Sequence, residues 1–78
     1  KLYPNPSNGR LTIKMSDLLD NHLNLEIVDL GGRLVYNQSL QTKSASLETQ
    51  LDLKLSTGVY LINIKGDRTN FSEKLIIE

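Results

Sequence analysis

Apolar and polar residues alternate along most of this chain with a period of two. In RLTIKM, Leu11, Ile13 and Met15 alternate with polar neighbours, the pattern of a strand with one buried face. LNLEIVDL places Leu23, Leu25 and Ile27 on one face, and LDLKL does the same with Leu51, Leu53 and Leu55, leaving Asp52 and Lys54 to water. NFSEKLIIE closes the chain with Phe71, Leu75 and Ile77 in phase. GVYLINIK departs from the rule. Val59 and Leu61 lie on one side, Tyr60, Ile62 and Ile64 on the other, which predicts a central strand covered on both faces.

Turn-forming residues separate these runs at Asn8-Gly9, SDLLDNH, Gly31-Gly32, QTKSAS, Ser56-Thr57-Gly58 and Gly66-Asp67. Short strands broken about every ten residues predict an all-β sandwich or barrel. SDLLD has the composition for one helical turn capped by Ser16, too short to stand alone. Hairpins are expected at Gly31-Gly32 and at Gly66-Asp67. At the first, a two-residue turn pairs Ile27 with Tyr36 and Leu23 with Leu40, whereas a three-residue loop with Gly32 in a left-handed bulge pairs Ile27 with Val35. Gly58 is expected to serve a turn conformation or a close approach.

The chain opens on KLYPNPSNGRLTI, which holds both prolines, Pro4 and Pro6. Proline fixes φ, lacks an N–H and presses its predecessor toward extended geometry. The segment is therefore expected to be stiff and extended and unable to serve as an inner strand. Asn5 suits an Asx-turn ahead of the Asn8-Gly9 turn.

With 78 residues and no cysteine, the chain has no disulfide to draw on, and its single histidine, His22, gives little for a metal site. A domain of this size buries only about 60% of its unfolded surface, so Leu, Ile and Val must supply the stability. Nine basic and nine acidic residues cancel, without the basic footprint of a nucleic-acid binder. No apolar run approaches the ~20 residues that span a bilayer. The chain begins at Lys1 and reads as a piece of a longer protein, with any targeting segment upstream.

Candidate chemistry is thin. His22 sits beside Asp20 in a polar stretch, without a serine elbow of the G-x-S-x-G kind, and reads as a solvated histidine. Asp17 and Asp20 fit turn and capping roles as well as acid–base work, and their spacing does not match a calcium loop. Gly31-Gly32 joins strands and opens no helix, so it is no phosphate cradle. Tyr60 and Phe71 lie in apolar strands and read as core residues rather than sugar platforms. The triplets at Asn37 and Asn70 match the glycosylation acceptor pattern, which matters only in a glycosylating host. An enzyme is not expected.

Three ordered blocks carry a likeness that periodicity does not supply. The first is YPNPSNGRLTI, with Pro4, Asn5, Pro6 and Gly9; the second is LEIVDLGGRLVY, with Asp29 and Gly32 in a D-x-x-G hairpin. The third is LDLKLSTGVYLINI, with Gly58 and Tyr60, followed by KLII. In these the chain resembles a type A C-terminal sorting domain of the type IX (Por) secretion system of Bacteroidetes. The resemblance implies an address label carried behind a secreted cargo domain. The cargo reaches the periplasm, and the folded label is recognised there by the outer-membrane translocon and shuttle proteins. A sortase-like surface peptidase then removes the label, and the cargo is attached to the cell surface or released. Many relatives end in a basic residue where this chain has Glu78.

Taken together, the sequence predicts an antiparallel immunoglobulin-like β-sandwich of about seven short strands. Residues 1–78 form one sorting domain, and residues 1–9 are its Pro-rich approach from a cargo linker. Recognition is expected at Pro4, Asn5 and Pro6 and along the last strand at Lys74, Leu75, Ile76, Ile77 and Glu78, whose edge is free for strand addition. No cofactor, nucleic acid or small-molecule substrate is expected. An accessory immunoglobulin-like spacer or glycan-binding module is the alternative.

Overall fold

The structure, a computed structural model, describes residues 1–78. Seven strands follow in order: β1 (Leu2–Tyr3), β2 (Arg10–Met15), β3 (His22–Asp29), β4 (Leu34–Gln41), β5 (Leu47–Asp52), β6 (Gly58–Lys65) and β7 (Asn70–Ile77). They form two antiparallel sheets, β1-β2-β5 and β4-β3-β6-β7. The chain is a β-sandwich with the strand succession of the immunoglobulin class, except that β4 pairs with β3 at the edge of the β3-β6-β7 sheet, where the constant-type fold places its fourth strand beside the fifth in the sheet of strands one, two and five.

The period-two pattern builds the core as expected. Leu11 and Ile13 of β2 and Leu47 and Leu51 of β5 face Leu23, Leu25, Ile27, Ile62, Ile64, Leu75 and Ile77 of the other sheet, all buried. Ile13, Leu25, Ile27, Ile62, Ile64 and Leu75 are the largest fully buried side chains. Each such residue contributes about 1.5–3 kcal/mol by leaving water. Buried Leu and Ile thus do the work that a disulfide or metal performs in other small folds.

Three expectations change. β6 is central but covered on one face only, with Tyr60, Ile62 and Ile64 inside and Leu61 40% exposed. A two-layer sandwich leaves the outer face of each sheet to solvent. SDLLD forms no helix. Asp17 takes a positive φ of 57°, and the Leu18 N–H donates to the Ala45 carbonyl at 2.9 Å, so a tertiary partner takes the bond that a helical turn requires. β5 stops at Asp52, while Leu53 continues inward, fully packed, without a ladder partner.

The first hairpin uses both candidate geometries. The Asp29 N–H donates to the Arg33 carbonyl and the Gly32 N–H to the Asp29 carbonyl, closing a three-residue loop with Gly32 at φ +87°. A bulge then intervenes, so that Val28 pairs with Leu34 but Ile27 pairs with Tyr36 and Leu23 with Leu40. The loop chemistry sets one register, and the need to bury Leu40 restores the other.

Candidate recognition surface

The four-stranded sheet has two unlike ends. At one end β3 begins, β6 finishes and β7 begins, and the buried Asp20 ties them together. Its carboxylate accepts from the Arg68 N–H at 3.0 and 3.1 Å and from the Thr69 hydroxyl at 2.6 Å. The Thr69 hydroxyl, with the Arg68 N–H and charge, holds the Asp20 pKa below the usual carboxylate range against the opposing effect of burial. Asp20 is therefore a structural clamp, a role that short-range reading of Asp17 and Asp20 does not reveal. His22 stands exposed at the start of β3, paired across the sheet with Gln41, and hydrogen-bonds no carboxylate.

At the other end the three sequence blocks meet. Asp29 pairs with Tyr60, Tyr60 with Leu75, and Gly58 with Ile77. In the hairpin, Asp29 Oδ1 accepts the N–H groups of Gly31 and Arg33 at 3.0 and 2.9 Å, and Oδ2 accepts from Arg33 Nε at 3.2 Å. The Arg33 N–H leads the causes that hold the Asp29 pKa down, ahead of Gly31 and the Arg33 charge, with desolvation opposing. The D-x-x-G signature is thus a self-bonded turn.

Tyr60 does more than fill the core. Its hydroxyl donates to the Ser56 carbonyl at 2.6 Å, pinning the corner between β5 and β6 as the tyrosine corner does in related sandwiches. A tyrosine two residues after a turn glycine, at the start of a strand, is the local signal for it. Gly58 does not have a left-handed φ, and a Cβ there meets Tyr60 Cε1 at an ordinary 3.8 Å. Its expected special conformation belongs instead to Gly9, at φ +108°, whose added Cβ lies 2.5 Å from the Leu53 carbonyl oxygen.

The opening segment is extended only over Leu2–Tyr3, where it forms an edge strand as its prolines require, and it is not closed locally. Leu2 and Tyr3 pair with Ile13 and Thr12 of β2. The chain then bends through Pro4, Asn5 and Pro6, both X-Pro bonds being cis, and reaches the edge of β7 in the other sheet. There Ser7 bridges in parallel to Ile77. The Ser7 N–H donates to the Ile76 carbonyl at 2.9 Å, and the Glu78 N–H donates to the Ser7 carbonyl at 2.8 Å. Asn5 makes no Asx-turn. Its Nδ2 donates to the Lys74 carbonyl at 2.7 Å and to Glu73 Oε2 at 3.2 Å, and its Oδ1 accepts the Ile76 N–H at 3.1 Å. The Asx role passes to Asn8, whose Oδ1 accepts the Arg10 N–H at 3.1 Å. Buried Ser7 completes the junction, its Oγ accepting from the Gly9 N–H at 2.8 Å and donating to the Arg10 carbonyl at 3.2 Å.

This junction corrects the expectation of a free last edge. The outward groups at Ile76, the Lys74 carbonyl and the Glu78 N–H are already bonded by Asn5 and Ser7. Only Asn70, Ser72 and the Lys74 N–H remain on the open part of the edge, by the alternation of an antiparallel ladder. Because Ser7 turns both backbone groups toward β7, Pro6 turns away from it, with no N–H to offer a further strand. Of the residues expected to be recognised, Pro4, Pro6, Lys74 and Glu78 are exposed and Asn5 and Ile76 half-buried, whereas Leu75 and Ile77 are core. Nothing local announces the Asn5 contacts, whose partners lie 69 and 71 residues away.

The fold and this junction define a small β-sandwich whose distinctive residues shape one end of a sheet rather than pair a nucleophile with a base. The sequence pattern of the secretion system C-terminal sorting domain matches residues 1–78, and the chain belongs to that family. It is a C-terminal sorting signal for type IX secretion, a targeting module that implies export to the cell surface or beyond. Among curated proteins, none matches the chain.

Proposed function

We propose that residues 1–78 act as one folded address label, read by the type IX translocon and its shuttle proteins at the junction of the opening segment with β7. In this reading an upstream cargo domain enters at residues 1–9 and crosses the periplasm with the label. A sortase-like surface peptidase then cuts the label off, leaving the cargo attached to the surface or released. The recognised groups are Pro4, Asn5, Pro6, Lys74, Ile76 and Glu78, with Leu75 and Ile77 holding the strand from inside. The observation that supports this most is the Asn5 amide, which joins the two ends of the chain into one surface. A receptor that reads both ends together reads only a folded label.

The test is export of a periplasmic reporter fused ahead of the chain in a type IX-competent cell. The fusion is expected outside the cell, and the reporter without the label inside. Deleting KLIIE is a poor probe, since it removes buried Leu75 and Ile77 and reports unfolding as much as recognition. Glu78→Ala alters an exposed side chain alone and is expected to reduce export while the melting temperature stays near that of the parent. Equal export with and without the label overturns the reading.

A further inference from the structure

The outer face of the four-stranded sheet is divided. Its half near the Asp20 clamp follows the rule for a solvated face: Asn24, Lys65 and Asn70 form one cross-strand row, and Asn37, Glu26, Asn63 and Ser72 the next. Its half near the three-block junction breaks the rule. Leu34, Val28, Leu61 and Lys74 form a continuous row across all four strands, and Val59 with Ile76 forms a second beside it. Leu34 is 49% and Leu61 40% exposed, and Leu30, in the turn joining β3 to β4, is 79% exposed. Antiparallel sheets with one wet face normally place polar residues there, and exposed apolar area gathered in one patch marks an interaction site.

We propose that this apolar half-face is a docking surface for a protein partner that presents apolar side chains along the row and a carboxylate opposite Lys74. The proposal rests on the sorting reading and deepens it, because the row runs into β7 where Asn5 and Ser7 are seated. The occupant follows from charge. Lys74 is the one charged side chain in either apolar row, it is exposed, and it forms no ion pair, whereas Arg33 nearby is held by Asp29. An acidic group facing an ammonium at the rim of an apolar row steers the encounter and fixes its register, so charge complementarity favours a partner with a carboxylate there. A single lysine is not the polybasic cluster that draws a protein to anionic lipid, so the surface suits a protein rather than a membrane. Leu34 and Leu61 are the anchors.

The test uses the full chain fused behind a reporter. In a type IX-competent cell, Leu34→Thr with Leu61→Thr is expected to lower export about tenfold or more, the loss typical of two interface anchors. Both side chains lie outside the core, and a melting temperature close to the parent's verifies folding. Lys74→Glu is expected to lower export as well, Lys74→Arg to retain it, and Asn24→Thr, on the polar half, to leave it unchanged. Full export of the double threonine variant together with Lys74→Glu overturns the proposal while leaving the sorting reading intact. Retention of the parent fusion overturns the sorting reading itself. With the purified fusion, cosedimentation with phosphatidylethanolamine–phosphatidylglycerol vesicles that the threonine pair abolishes assigns the face to a membrane and overturns the protein partner. A dimer in sedimentation equilibrium that the same pair dissolves assigns it to a second copy and overturns the proposal likewise.

Discussion

Gly9→Ala separates two reasons for a glycine when it is set against Gly32→Ala. Both residues have positive φ, +108° and +87°, where an L side chain costs about 1–2 kcal/mol. Gly32 stands in the open, with nothing within 4 Å of an added Cβ, so its variant bears the conformational cost alone. At Gly9 the added Cβ meets the Leu53 carbonyl oxygen at 2.5 Å, against the 3.4 Å at which ordinary contact begins. Leu53 cannot easily withdraw, because its own N–H donates to the Gly9 carbonyl at 2.8 Å and its side chain is 5% exposed. Relieving such a collision costs about 1–3 kcal/mol more, for a total of about 2–5 kcal/mol at Gly9. The reduced freedom of the unfolded chain is common to both variants and cancels in their difference. At about 0.05–0.15 kcal/mol per residue the whole domain holds about 4–12 kcal/mol, so Gly9→Ala approaches the limit of folding. Urea unfolding followed by far-ultraviolet circular dichroism measures both variants, and thermal melting gives about 4–8 °C per kcal/mol for a domain of this size. Equal midpoints, or a milder loss at Gly9, refute the reasoning.

Tyr60→Phe is expected to cost about 0.5–1.5 kcal/mol by losing the bond to the Ser56 carbonyl, read as a shift in urea midpoint at unchanged slope. Gly58→Ala is expected to be neutral to slightly stabilising, since its φ is ordinary and a strand glycine carries an entropic penalty; a loss comparable with Gly9→Ala contradicts this. The Asp20 pKa is depressed in the folded state, so the carboxylate's contribution is present above the unfolded pKa, near ~4, and is lost as pH falls through the lower folded value. The melting-temperature gap between the parent and Asp20→Asn is therefore expected to be widest at about pH 6 and to narrow toward about pH 2.5; a constant gap counts against the clamp. Asn5→Ala is expected to accelerate hydrogen exchange at the Ile76 amide, with amides in β3 unchanged.

The sequence by itself determined the strands, their inward faces and the all-β class. Leu11, Ile13, Leu23, Leu25 and Ile27 are buried where alternation places them, because the side chains of a strand point to opposite sides in strict turn. It also carried the three blocks that mark the family. Tertiary structure decided the rest, wherever the partner was distant. The apolar character of Leu61 predicted a covered face, but coverage depends on what packs above, and two layers leave that face open. Gly9, and not Gly58, is sterically irreplaceable because a carbonyl from the end of β5 lies against it. The prolines looked like stiff linker, yet their position across the two sheets makes them the outer margin of a covered strand edge. Asn5 looked like a local turn former, but the chain bends there and its amide meets β7 instead. Local rules describe a residue's own backbone; a hydrogen bond spanning 71 residues exists only once the sandwich has closed and brought both ends of the chain to the same edge.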